Sequence, residues 1–205
     1  MVAKRAGEKP GTLLDIGAGT GFFLHFMQKY GWSVTGTEKS DEARRFARDE
    51  WNLPLLPDQS LFSMPEQSFD VITLWHVMEH LHDPEKYLAA ISRLLKPTGC
   101  LFIALPNPSS ADAVHYGKYW AAWDVPRHLW HFSPDHICRL LQNGGFRTER
   151  MYRMPFDAFY VSILSEKYRK SGFPVLLGLS KGFLFWMASW ANRRKCSSLV
   201  YLFKK

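Results

Sequence analysis

Three glycines and three carboxylates are spaced so that they could hold a nucleoside. Asp15-Ile16-Gly17-Ala18-Gly19-Thr20-Gly21 lies between an apolar run and an amphipathic one, a setting in which glycine allows positive φ and lets a ligand reach the backbone with no Cβ in the way. The pattern is D-x-G-x-G-x-G and not the G-x-G-x-x-G of dinucleotide sites. An acid two residues ahead of the first glycine is awkward for a pyrophosphate, which needs bare amide donors and the positive end of a helix. It suits an ammonium group. Glu38, closing the next apolar run, stands where an acid accepts hydrogen bonds from a ribose diol, and Asp58 could accept from the exocyclic amine of adenine. Ala18 within the loop and Trp75 at the end of a later strand complete the candidate cofactor contacts. The set asks for adenosine joined to a positively charged amino acid. In the competing reading the glycines form a turn without a ligand, and Glu38 and Asp58 are solvated caps.

A second group follows at once: Trp75-His76-Val77-Met78-Glu79-His80-Leu81-His82, with Pro126-Arg127-His128-Leu129-Trp130-His131-Phe132 further on. If the first segment is helical, His76, Glu79 and His80 share one face at i, i+3 and i+4. Two chemistries fit His76, Glu79, His80, His128 and His131. One is general-base removal of a proton from an attacking oxygen or nitrogen. The other is a divalent metal that lowers the pKa of the attacking hydroxyl. The plain structural reading has the histidines packing against a sheet and Glu79 accepting a structural hydrogen bond.

These groups need a scaffold that brings strand ends together. Thr12–Ile16, Trp32–Thr37, a weak Leu53–Leu56 broken by Pro54 and Pro57, Phe69–Trp75 and Cys100–Leu105 read as five strands separated by amphipathic helices, the signature of a parallel sheet covered on both faces. The first helix has Phe22, Phe23, Phe26, Met27 and Tyr30 as its apolar set and Gly31 as its stop. Ser40, Asp83-Pro84 and Ser133-Pro134 read as helix starts. Residues 106–132 show no period and read as a lid loop. Phe146–Met154 and Leu199–Phe203 read as two further strands around a long insertion.

LLDIGAGTGFFL, Glu38 in TGTEKS, SFDVITLWHVMEHLHDP, LLKPTGCLFIALPN and FSPDHICRLLQNGGF resemble, in order, the motifs of class I S-adenosylmethionine-dependent methyltransferases. The resemblance covers about residues 12–154 and, more faintly, the terminal strand. It implies an α/β, doubly wound, mostly parallel seven-stranded sheet of the Rossmann-like methyltransferase type with an antiparallel last strand. It also implies S-adenosylmethionine as cofactor, with Gly17, Gly19 and Gly21 along the methionine, Glu38 on the ribose and Asp58 at the adenine edge. The His76–His80 segment is similar to the E-x-x-E-H segment of ubiquinone-pathway O-methyltransferases and small-RNA 2′-O-methyltransferases. His76 stands in place of the first carboxylate, which weakens the magnesium reading because a hard cation prefers oxygen ligands. A divalent metal is therefore the less favoured alternative.

The length of 205 residues fits one methyltransferase domain over 1–205, with the lid at 106–132 and a basic aromatic insertion at 155–197. Near-average apolar and charged fractions exclude disordered and fibrous classes. Cys100, Cys138 and Cys196 have no CxxC spacing, so a reducing cytoplasm fits, and the first eleven residues contain no apolar leader. Residues 1–146 carry 14 Lys/Arg against 16 Asp/Glu, whereas residues 147–205 carry 12 against 3, so the net charge of +7 belongs to the C-terminal part. A localised excess points to an anionic partner.

Phe173–Ala191 reads as a helical insertion that covers the substrate, with an interfacial segment at a membrane as the alternative. Pro174, Gly178, Lys181 and Gly182 argue against a membrane span. Nucleic acid is disfavoured because no binding motif accompanies the charge. The expected activity is methyl transfer to oxygen or nitrogen of a small or lipid-like acceptor. The rivals are an NAD-dependent oxidoreductase and a non-catalytic S-adenosylmethionine-binding module.

Overall fold

Six strands form one sheet in the order β2-β1-β3-β4-β6-β5: β1 (Thr12–Ile16), β2 (Ser33–Thr37), β3 (Phe69–Trp75), β4 (Leu95–Pro106), β5 (Arg147–Met154) and β6 (Ser198–Lys204). The structure, a computed structural model, describes residues 10–205, so most of the N-terminal segment read as lacking a leader lies outside the described residues. The β2–β1, β1–β3 and β3–β4 pairs are parallel, and β6 runs antiparallel to both its neighbours.

The expected seventh strand is absent among the described residues. Leu53–Leu56 contributes only a single parallel bridge, Thr37 to Leu56, because Pro54 and Pro57 lack the N–H donors that a ladder needs. Successive strand residues feed opposite layers. Leu14, Ile72, Leu101 and Tyr201 pack on one face, and Leu13, Val71, Phe102 and Val200 pack on the other. Both faces are therefore dry, as a mainly parallel sheet requires. The strand order reverses between β1 and β3, so a crevice opens at their carboxyl ends.

Helices α1 (Phe22–Lys29), α2 (Asp41–Trp51), α3 (Pro84–Leu94), α4 (Ala111–Tyr116), α5 (Pro134–Asn143), α6 (Asp157–Tyr168) and α7 (Pro174–Ala191) complete the fold. Ser40, Asp83 and Ser133 cap α2, α3 and α5 through their side-chain oxygens, satisfying amides that would otherwise be orphaned. The apolar set expected for α1 is only partly inward. Leu24 and Met27 are buried, whereas Phe22, Phe26 and Tyr30 face solvent. Apolar residues occur all round this short helix, so contact with the sheet decides which side is buried. Phe46, expected inward on α2, is likewise exposed while Ala47 is buried.

The 106–132 segment is less irregular than its composition suggests. It contains α4 and two short 3-10 turns, anchored by the buried Asp112, which accepts from Trp120 Nε1 at 2.8 Å and from Ser197 Oγ at 2.7 Å. The C-terminal insertion is the hairpin α6–α7. A Cβ on Gly178 would lie 2.5 Å from Ile163 Cα, and one on Gly182 would lie 2.8 Å from Phe159 Cα, so the two glycines let the helix backbones touch.

Candidate active site

The crevice at the carboxyl ends of β1 and β3 is a cavity of about 350 Å³, lined by Gly17, Glu38, Asp58, Trp75, His76 and Tyr87 among others. Gly17 holds φ +70°, and a Cβ there would strike Val77 at 2.5 Å, so glycine is required for both backbone angle and space. The loop amides are already engaged. Gly17 N and Ala18 N donate to Thr37 O at 2.8 and 2.9 Å, Gly21 N donates to Ala18 O at 3.0 Å, and Gly19 N donates to Glu38 Oε2 at 2.8 Å. A pyrophosphate would need those donors free. This counts against a dinucleotide and in favour of a ligand without phosphate.

Glu38 is fixed at its other oxygen by Ser40 N at 2.8 Å, and each carboxylate oxygen keeps a lone pair for a diol. Asp58 opens a 3-10 turn and accepts from Tyr87 Oη at 3.5 Å. Burial, followed by the charge of Asp58, raises the Tyr87 phenol above its ordinary value. The Trp75 indole N–H is buried without a partner among the described residues, an unspent donor on a crevice-lining residue. The lining thus fits an adenosine carrying a cationic group.

Of the eight cofactor candidates, Gly17, Glu38, Asp58 and Trp75 line the crevice, whereas Asp15, Ala18, Gly19 and Gly21 do not. Asp15 is 2 % exposed and accepts from Thr73 Oγ1 at 2.6 Å. Burial pushes its carboxyl up to about 7, against the lowering effect of the Thr73 bond and with Glu38's charge adding to the rise. A carboxyl poised there ionises readily once a cation arrives nearby.

His76 does not share a helical face with Glu79 and His80. It takes a left-handed φ of +55°, and the 3-10 turn Met78–His80 begins after it. Such backbone in a non-glycine residue costs energy and concentrates at functional positions. His76 Nδ1 lies 3.3 Å from Glu79 Oε1, and its Nε2 lies 3.7 Å from Asp157 Oδ2. Burial alone would lower its pKa, but the hydrogen bond and charge of Glu79, with Asp157, hold it above the ordinary imidazole value.

His76 also lines a second cavity of about 340 Å³, walled by Pro106, Ala122, His128, Asp157, Tyr160 and Leu164 among others. Sequence reasoning missed Asp157, Tyr160 and Tyr87. Nothing local marks Asp157 or Tyr160, and Tyr87 reads only as part of a helix's apolar face.

The remaining histidines divide. His80 Nδ1 lies 2.9 Å from Arg127 O, and His128 Nδ1 lies 2.9 Å from Ala122 O. Since a carbonyl only accepts, each Nδ1 carries the proton and each Nε2 keeps its lone pair. One ligand atom each from Glu79, His80 and His128 falls within 4.8 Å of the others, and Glu79 Oε2 is buried without a partner among the described residues. His128 is held below its ordinary value, chiefly by burial, so it is a neutral imidazole. Leu129 N and Trp130 N donate to Glu79 O at 2.8 and 3.2 Å, which fastens the 106–132 segment to this cluster. His131 neighbours His128, with ring centroids 6.2 Å apart, but is not among the three residues of that cluster. Its Nε2 bonds Trp123 O at 2.8 Å, and it lines neither the crevice nor the second cavity.

Residues 2–150 match the family model described as a methyltransferase domain. The chain is 26% identical over 168 residues to the ubiquinone biosynthesis O-methyltransferase of Thiobacillus denitrificans, covering 76% of this chain and 71% of that protein. It is 29% identical over 172 residues to the enzyme of the same name from Paramagnetospirillum magneticum, covering 78% and 67%. Its fold is similar to that of Burkholderia thailandensis 1,6-didemethyltoxoflavin-N1-methyltransferase with bound 1,6-didemethyltoxoflavin and S-adenosylhomocysteine, at TM-score 0.60, 17% identity, and 97% and 72% coverage. With the match running from ahead of the glycine loop into β5, and the crevice built by that loop, this chain belongs to the methyltransferase domain family.

Proposed function

We propose that this chain is an S-adenosylmethionine-dependent methyltransferase acting on oxygen or nitrogen of a small or lipid-like acceptor. The observation that carries this reading is that His76 lines both the nucleoside crevice and the second cavity. A residue on a shared wall reaches both reactants. The O-methyltransferase names of the relatives favour oxygen as the acceptor atom.

Glu38 would hold the ribose diol, Asp58 the adenine amine, and Asp15, behind the loop, the ammonium group through its field. When bound, S-adenosylmethionine supplies a sulfonium-activated methyl carbon. His76 Nε2 receives the acceptor's proton, and Glu79 and Asp157 stabilise the imidazolium that results. Apolar Val161 and Leu164 beside Tyr160 and Tyr168 suit an acceptor with a hydrophobic body and one polar end. Because methyl transfer from a sulfonium is intrinsically favourable, orientation by the two cavities supplies much of the acceleration.

The Glu79, His80 and His128 cluster supports a second reading, in which a divalent ion joins the acceptor side. Two imidazoles and one carboxylate suit a borderline cation such as zinc better than magnesium. It would lower the pKa of an acceptor hydroxyl.

Calorimetry with S-adenosylhomocysteine and with NAD tests the cofactor, and transfer of a labelled methyl group across a panel of phenols, amines and lipid-like alcohols tests the reaction. Binding of the first ligand without the second is expected. NAD binding alone would reverse the reading, and tight cofactor binding with no transfer to any acceptor would favour a binding module. Chelation followed by zinc or magnesium addition tests the metal reading: unchanged activity removes it.

A further inference from the structure

The α6–α7 hairpin presents an apolar row that nothing among the described residues covers. Gly178, Gly182 and Ser189 are the buried side of α7. On the opposite side, Leu176, Leu179, Phe183, Met187 and Trp190 follow one another at three- and four-residue spacing and are 64, 45, 49, 51 and 61 % exposed. A row this long on one helix exceeds the scattered apolar residues of an ordinary surface.

The row runs into a basic cavity. Arg150, Arg153 and Arg193 surround Trp190 in a depression of about 580 Å³. Arg153 stacks on the Trp190 ring at 3.9 Å, and no ion-pair partner for these three arginines is found among the described residues. At the other end of the helix stand Lys167 and Lys170, also without ion-pair partners among the described residues. Residues 167–205 contain nine Lys/Arg and no Asp or Glu. No helix of the described residues is long and apolar enough to cross a membrane.

We propose that α7 lies flat on an anionic phospholipid surface. Its apolar row enters the boundary between headgroups and acyl chains, and the Arg150–Arg153–Arg193 cavity receives a lipid phosphate. Charge complementarity selects this partner. Cations at both ends of an apolar face, with an aromatic ring at the end of the row, match the layering of a bilayer interface. The inference does not depend on which reaction the crevice supports.

The test is co-sedimentation of the full chain with vesicles of equimolar phosphatidylglycerol and phosphatidylcholine, and with vesicles of phosphatidylcholine alone. Binding to the anionic vesicles is expected to be roughly tenfold or more tighter, and to weaken as salt shortens the range of the attraction. F183E/M187E should lose roughly tenfold or more in binding to anionic vesicles. R150E/R193E should abolish the preference for them. These positions are exposed or at a cavity rim, so both variants should keep the parent's circular dichroism and melting temperature. Equal binding to both vesicle types, or binding to neither, would overturn the proposal. So would a dimer in sedimentation equilibrium that F183E/M187E dissolves, since the row would then be a contact between copies.

Discussion

At the scale of single residues, two side chains carry the proposed chemistry. Asp15 is buried on Thr73 with its carboxyl raised to about 7. The folded chain therefore keeps this proton to higher pH than the unfolded chain, which loses it near the ordinary value of 3.8. Its contribution to stability is complete below the lower value and disappears as pH rises through the upper one, by at most about 4 kcal/mol. Asp15→Asn should flatten that fall, which urea unfolding at pH 5 and pH 8 would show, while weakening S-adenosylhomocysteine binding by roughly tenfold or more. Equal weakening of stability at both pH values would contradict it. For His76, removal of the base should cost about 10²–10⁴ in turnover. His76→Asn is expected to show that loss with cofactor affinity nearly unchanged. As the proposed base it would work unprotonated, so the parent's kcat should rise with pH through a value above 6.5, and the variant's profile should be flat across it. A variant with parental kcat would leave positioning as the whole mechanism.

At the scale of elements, packing decides what periodicity leaves open. α1 has apolar residues on more than one side, so only its contact with the sheet selects Leu24 and Met27 for burial and leaves Phe22, Phe26 and Tyr30 outside. Leu53–Leu56 has strand-like composition, but two prolines reduce it to one bridge. By contrast β1 and β3 are legible to the residue, because buried parallel strands are short, continuous apolar runs with glycine or polar punctuation. The α6–α7 contact offers a direct test. Gly178→Ala would add about 1 kcal/mol of helix propensity, yet its Cβ would fall 2.5 Å from a backbone atom of α6. Overpacking of this kind costs roughly 1–3 kcal/mol. Net destabilisation is therefore expected in urea unfolding; a stabilised variant would mean that the helices do not touch there.

At the scale of the whole molecule, two cavities meet at one side chain from β3's end, and the 106–132 segment, which walls the second of them, is pinned to Glu79 through Leu129 and Trp130. A ligand that binds only the folded chain stabilises it by mass action. S-adenosylhomocysteine at about 100 times its Kd should add about 2.7 kcal/mol. For a chain of this size the melting temperature should rise by roughly 5–10 °C. NAD at the same concentration should leave it unchanged, because Gly17, Ala18 and Gly19 have no amides to offer a pyrophosphate. A scanning-calorimetry shift with NAD alone would refute that.

The sequence by itself determined the strand–glycine–helix unit, the acids around it and the unequal charge of the two ends. All of these depend on local propensity or on residue type at short spacing. Only the tertiary structure decided that His76 lies between two cavities, that Asp157 reaches it from a distant helix while Tyr160 walls the same cavity, that His80 and His128 share a cluster with Glu79, and that Asp15 is buried on Thr73. Each is a contact between segments remote in the chain, and the free energy that selects it comes from burying both partners at once. No window along the sequence holds both.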